Sequence, residues 1–266
     1  MTQVATTHSP RGVTAGDINL DGKPDILVTH VNGADSLSIA LSSTAPGATT
    51  PSFNTPTTFA VNGYPMAVSV GDLNGDGKPD VVVANRMSHN LSVFFNTTTP
   101  GATTPSLSTK VDLPSGLEPC GVTISDLNGD GRGDLISANR NSNSVSVFFN
   151  TTTPGSATPS FSTKTDFTTG TIPLKVRAGD LNGDGKIDLA VSSEGGGVAS
   201  LLLNTTTTPD AADMRRRGFM LLSEFISTYT RPDLRRSTVA GHLVTLNMLA
   251  SCSDVSLRTL KRSHVL

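Results

Sequence analysis

The sequence predicts an all-β fold of repeated four-stranded sheets, the blades of a β-propeller, on three observations. An acidic nonapeptide of the form Asp-x-Asn-x-Asp-Gly-x-x-Asp occurs four times, beginning at residues 17, 72, 126 and 180, so the spacings are 55, 54 and 54. Whole units are repeated with it: VFFNTTTPG at residues 93–101 returns at 147–155 and fades into LLLNT at 201–205. Composition agrees, because 25 Gly and 16 Pro with no Trp suit short strands joined by turns. A period of roughly 40–55 residues carrying four strands is what blades give, since each small sheet buries its faces only against its neighbours.

Within a unit the first strand is the alternating run VSV at 68–70, matched by residues 13–15, 122–124 and 176–178. The acidic loop follows directly. The second strand is the apolar run VVV at 81–83, matched at 26–28, 135–137 and 189–191; a run this short and apolar fits a strand covered on both faces. In the third, Leu91, Val93 and Phe95 share one face, as do Leu37, Ile39 and Leu41, and Val145, Val147 and Phe149, which is period two. A Thr-, Pro- and Gly-rich loop then leads to a fourth strand such as FSTKTDF at 161–167, polar enough for an outer edge. The last unit lacks its own fourth strand, and QVATT at 3–7 aligns with one, so the first segment is expected to complete the last blade. The first copy is one residue longer than the others, in the turn at 32–35, where a surface hairpin tolerates insertion.

The repeat ends abruptly at Pro209, which divides the chain into a repeat body, 1–208, and a non-repeat tail, 209–266. The body carries 17 acidic and 11 basic side chains, a net of -6; the tail carries 5 and 9, a net of +4. The tail is expected to be a basic segment, either helical around Leu222 and Leu246 or without a fold. Neither net charge is large enough to predict nucleic-acid binding. Cys120 and Cys252 show no metal or disulfide spacing. No apolar stretch reaches membrane-spanning length, and residues 1–12 lack the pattern of a signal peptide.

Each acidic loop places oxygen donors at positions 1, 3, 5 and 9, with the backbone carbonyl of residue 7 available between them. Calcium takes six to eight oxygen ligands, and the Gly at position 6 allows the sharp turn that brings that carbonyl inward; zinc or copper would favour nitrogen or sulfur. An EF-hand also needs a bidentate Glu at position 12, where this chain has Val28, Val83, Ser137 and Val191. One such loop can also be read as an Asx-rich turn that binds nothing, but four copies of three crowded carboxylates call for cations between them. The loops hold 12 of the 17 acidic residues of the body.

The run DLNGDGKPD followed by an apolar strand resembles the FG-GAP/VCBS repeats of integrin α-subunit propellers and of secreted bacterial proteins, over residues 1–208. The resemblance implies a propeller, usually of seven blades, of which four repeats are an incomplete part, and about four structural calcium ions. It implies metal ligation by Asp17, Asn19, Asp21, Lys23 and Asp25; by Asp72, Asn74, Asp76, Lys78 and Asp80; by Asp126, Asn128, Asp130, Arg132 and Asp134; and by Asp180, Asn182, Asp184, Lys186 and Asp188, the residue at position 7 acting through its carbonyl. The Phe-Gly and Gly-Ala-Pro signature of the family is not evident in this chain. The implied role is an extracellular or cell-surface module, not an enzyme, that meets a protein or glycan ligand in adhesion or binding, with neither nucleic acid nor membrane insertion. The alternative is an accessory domain of a secreted enzyme acting on polysaccharide or lipid.

Other motifs have plainer explanations. Arg132-Gly133-Asp134 spells an adhesion tripeptide, yet it falls inside an acidic loop, where its aspartate is engaged. His8, His30 and His89 are scattered, without the partners that catalysis needs. Gly195, Gly196 and Gly197 read as a loose turn. Asn96, Asn150 and Asn204 begin Asn-x-Thr sites, whose glycosylation depends on a eukaryotic secretory route.

Overall fold

The computed structural model describes residues 9–33 and 35–206, which fall into two units, one holding 9–179 with 187–202 and the other 180–186 with 203–206. The first unit is built of antiparallel sheets. The first blade contains β1 (Ser9–Gly16), β2 (Asp25–Val31), β3 (Ser36–Ala40) and β4 (Thr57–Ala60). The second contains β5 (Pro65–Gly71), β6 (Asp80–Asn85), β7 (Asn90–Phe94) and β8 (Val111–Pro114). The third contains β9 (Pro119–Ser125), β10 (Asp134–Asn139), β11 (Ser144–Phe148) and β12 (Thr165–Thr168). The fourth has β13 (Pro173–Gly179), β14 (Asp188–Ser193) and β15 (Val198–Leu202). Strands follow one another in sequence order within each sheet, and the fourth sheet has three, as the missing fourth strand predicted. Among the described residues there is no helix. The tail and residues 3–7 lie outside the described residues.

Fourth strands are shorter than the sequence suggested. β12 starts at Thr165, and Phe161 forms instead an isolated bridge to Asn150. The polar stretch between them has no unbroken partner strand, and an edge strand is held from one side only. β12 is exposed along its whole length.

The apolar runs are explained by cores that lie between blades. On β6, Val82 and Ala84 pack into a cluster with Leu91, Val122, Leu135 and Phe148, whereas Val81 and Val83 pack the other way, with Leu27, Leu37, Ile39 and Val68. Alternate residues of one strand therefore serve two cores, and all six residues of β6 are buried. Ile136, Ala138, Val145 and Val147 join Val176, Leu189 and Val191 in the same way at the next boundary.

First strands of successive blades run side by side, β1 with β5, β5 with β9 and β9 with β13. Gly121 in β9 permits that approach: a Cβ there would sit 2.7 Å from the Leu174 carbonyl oxygen and 3.1 Å from Lys175 Cα. Gly179 at the end of β13 has no such neighbour within 4 Å. Gly121→Ala should therefore cost about 2 kcal/mol by forcing two backbones apart, while Gly179→Ala should cost a few tenths at most; chemical denaturation of the two variants checks the contrast.

Candidate metal centre

Each acidic loop closes the turn between the first and second strands of its blade. In the second blade Gly71 and Asp80 face each other across β5 and β6, and residues 72–79 fill the connection. The position 1 carboxylate organises the loop by accepting its backbone N–H groups. Asp72 Oδ1 accepts from Gly75 at 2.7 Å and Oδ2 from Gly77 at 2.8 Å. Asp126 accepts from Gly129 and Gly131 at 2.8 Å, and Asp17 from Asp21 at 3.0 Å and Gly22 at 2.8 Å. Side-chain oxygens continue the winding, since Asn74 Oδ1 accepts from the Asp76 N–H and Asp76 Oδ1 from the Lys78 N–H. Such Asx turns explain the alternation of Asp and Asn with other residues. Position 6 has φ between 81° and 83° in all four copies, where only Gly is unstrained. Position 4 is Gly75, Gly129 or Gly183 in a similar conformation, but in the first loop it is Leu20, at φ 52°.

The residues at positions 2 and 9 fasten the loop to the body. Ile18, Leu73 and Leu127 at position 2 insert into the three inter-blade cores. Asp80 at position 9 is fully buried, and its Oδ2 accepts the Leu73 N–H while Oδ1 accepts the N–H of Asn96, just past β7, both at 2.8 Å. Asp25 does the same with Ile18 and Ser42, each at 2.7 Å, and Asp134 with Leu127 at 2.9 Å and Asn150 at 2.8 Å. Spacing alone grouped these aspartates with the ligands. Both oxygens of Asp25, Asp80 and Asp134 thus accept backbone N–H groups, as both oxygens of Asp17, Asp72 and Asp126 at position 1 do, and each such oxygen keeps a further lone pair.

Burial pushes the carboxyls of Asp80 and Asp134 up to about 6, with the neighbouring loop aspartates adding to the rise and the backbone N–H groups opposing it. Asp25 is raised for the same reasons.

The sequence reading missed a second ring of contacts. Asn96 and Asn150 are buried; Asn96 Nδ2 donates to the Ile18 carbonyl at 2.8 Å and Asn150 Nδ2 to the Leu73 carbonyl at 2.9 Å. Each amide thus grips the acidic loop of the preceding blade. The Gly101 N–H bonds the Asn19 carbonyl at 2.6 Å, and the Gly155 N–H bonds the Asn74 carbonyl at 2.8 Å. In the folded protein these buried, bonded amides are not glycosylation sites. Their signal was present in the sequence, as an Asn recurring with the repeat just after the third strand.

The third loop has its own cation. Arg132 Nη2 lies 2.6 Å from Asp130 Oδ2, whereas Lys23 reaches Asp21 only at 3.6 Å. The tripeptide that includes Arg132 has its Asp134 fully buried, so it offers no carboxylate to a receptor. In the second unit, Asp180 accepts from the N–H groups of Gly183 at 2.7 Å and Gly185 at 2.9 Å, which hold its carboxyl below the usual range. There too Lys186 Nζ donates to the Thr206 carbonyl at 2.6 Å, while Asp188, in the first unit, is fully buried at the start of β14. Among the described residues no three His, Cys, Asp or Glu side chains are gathered into a metal-holding group. The loop donors are nevertheless all oxygens, and in the first loop the buried Asn19 Oδ1 has no hydrogen-bond partner. That chemistry fits a hard cation.

Positions 9 and 5 therefore predict different behaviour. Asp80→Ala strips the acceptors from two buried N–H groups and should cost about 2–4 kcal/mol even in chelator; Asp76→Ala, at an exposed position, should cost about 1 kcal/mol or less. A carboxyl raised in the folded state favours folding below its unfolded value of 3.8, and that contribution is lost as pH rises through about 6. In chelator the melting temperature contributed by these groups should accordingly rise from pH 7 to pH 5, and rise less in Asp80→Asn/Asp134→Asn.

A family model described as an FG-GAP-like repeat matches residues 31–83, 72–137 and 126–191. No curated protein matches. Among solved structures, BBS1N in complex with ARL6DN, soaked with lead, is 12% identical, with 76% of this chain and 59% of that chain covered and a TM-score of 0.44. An Agrocybe aegerita lectin that recognises non-reducing terminal N-acetylglucosamine is 21% identical, with 72% of this chain and 51% of that chain covered and a TM-score of 0.43. The chain thus spans between half and three fifths of the length of these two proteins.

Proposed function

The chain belongs to the FG-GAP-like repeat family, and on that premise we propose that it is a non-catalytic, extracellular binding module whose acidic loops take calcium, one ion per loop, and whose other loops meet a protein or glycan. The observation that carries the reading is the fourfold loop with an all-oxygen donor set, wound so that positions 1, 3 and 5 fall on consecutive turns. Asp72, Asn74, Asp76 and Asp80, with the Lys78 carbonyl, would hold the ion in the second loop; Asp17, Asn19, Asp21 and Asp25, then Asp126, Asn128, Asp130 and Asp134, and then Asp180, Asn182, Asp184 and Asp188 correspond. Calcium supplies a local positive charge that relieves repulsion among the loop carboxylates. In the first three loops residues of this chain supply the rest: position 2 anchors the loop in an inter-blade core and position 9 fixes its base, while Asn96 and Asn150 tie the first and second loops to the next blade. Filling a loop would therefore stiffen two blades together.

Titration calorimetry on metal-stripped protein should show about four calcium ions per chain and weak competition by magnesium, which holds its water more tightly and prefers a smaller octahedral shell. Asp76→Ala should remove one site. Arg132→Ala should tighten calcium in the third loop, because the Asp130 carboxylate loses its competing guanidinium. No heat at millimolar calcium in the parent would refute the reading.

A further inference from the structure

The ends of the strands opposite the acidic loops carry a line of charged and aromatic side chains drawn from four blades. Arg11 Nη2 donates to the Tyr64 hydroxyl at 3.0 Å, and the guanidinium carbons of Arg11 and Arg86 lie 5.6 and 5.8 Å from the Tyr64 ring centroid. Arg86 donates through Nε at 2.9 Å and Nη2 at 2.7 Å to Glu118 Oε2, and Arg140 Nη1 reaches the same oxygen at 3.3 Å. Lys175 follows across the next blade boundary, where a Cβ at Gly121 would stand 3.1 Å from its Cα. Lys175 is exposed and has no carboxylate partner among the described residues. Two guanidinium groups thus share one carboxylate, three of their nitrogens converging on a single oxygen of it, and Arg11 and Lys175 add two more cations from the flanking blades. Among the described residues most of the donors of these four cations have no acidic partner.

The backbone beneath is held rigidly. Tyr64 and Glu118 have φ of 59° and 54°, although each precedes a proline, a conformation that persists only when neighbours enforce it. The enforcing bonds come from the preceding blade: Asp35 Oδ2 accepts the Tyr64 N–H at 2.9 Å, and His89 Nδ1 accepts the Glu118 N–H at 3.0 Å. Beside them Met87 is 60% and Leu117 47% exposed. Arg, Tyr and Met on a preorganised surface are the side chains that dominate protein interfaces, and four clustered cations are too few for the extended phosphate tracking of a nucleic acid.

We propose that this rim is a docking surface for an acidic, apolar-containing segment of a protein partner, its carboxylates taken by Arg11, Arg86, Arg140 and Lys175 and its apolar side chains by Met87 and Leu117. The inference rests on the reading of the chain as a binding module and names the surface and the chemistry of the ligand. Glu118 keeps the Arg86 and Arg140 guanidinium groups oriented until the partner arrives, and the partner completes their coordination with charge-assisted bonds.

The test is fluorescence anisotropy of a labelled Glu-Leu-Glu-Glu-Leu-Glu peptide with the full chain, its double variant Arg11→Glu/Arg140→Glu, and Lys175→Glu, a single exposed change that serves if the double variant does not fold. The parent should bind, more tightly at roughly 50 than at 200 mM salt, and each variant should bind about tenfold more weakly or worse. Binding through the basic residues of the tail is common to all three proteins and cancels in the comparison. Equal affinity in parent and variants would overturn the proposal. So would a sulfated hexasaccharide or a short RNA that binds the parent more tightly than the peptide and loses more in the variants. Calcium calorimetry on the same proteins separates the two readings: absent heat in all of them would count against calcium loading, and normal heat with unchanged peptide affinity would count against this surface alone.

Discussion

A fully buried carboxylate at the foot of the second strand is the constraint on which the blades depend. Asp25, Asp80 and Asp134 each take two backbone N–H groups, one from position 2 of the acidic loop and one from the residue just past the third strand. A charge so placed is costly unless it is bonded. Its bonds fix three things at once: where the loop begins, where the third strand ends, and where the apolar residue at position 2 enters the core between blades. The side chain that receives least prominence in a ligand list thus sets the geometry in which the ligands are presented.

The same arrangement transmits order from one blade to the next. Asn96 gives its N–H to Asp80 in its own blade and its amide Nδ2 to the Ile18 carbonyl in the blade before. Asn150 repeats the pair with Asp134 and Leu73. At the opposite ends of the strands, Asp35 and His89 cap the strained residues Tyr64 and Glu118 of the following blade. Both of these boundaries are therefore tied at both ends around an apolar centre. This is how a repeat whose single sheets cannot bury two faces alone becomes a stable body.

Much of the blade was legible in the sequence because it is local. Loop chemistry needs Asp, Asn and Gly at fixed offsets, and strands buried on both faces need unbroken apolar runs such as 81–83. The fourth strands were overextended because an edge strand has one partner, and the polar residues 161–164 look alike in a strand or a loop. The structural task of position 9 was hidden because spacing shows that an oxygen is present without showing what it bonds; only the register of Gly71 with Asp80 and the burial of Asp80 reveal two N–H groups within reach. Asn96 and Asn150 were read through the Asn-x-Thr pattern, although the contacts that bury them come from a blade some 78 residues away in the chain. The Arg11 to Lys175 rim left no local signature, since its members lie in four blades and meet only after the blades align.

Amide hydrogen exchange with and without calcium tests most directly the claim that the acidic loops are cation sites coupled to neighbouring blades. The account predicts that calcium slows exchange at Gly75 and Gly77 in the loop, and also at Gly155, whose N–H bonds the Asn74 carbonyl from the next blade. Exchange that is the same at all three amides in calcium and in chelator would contradict it.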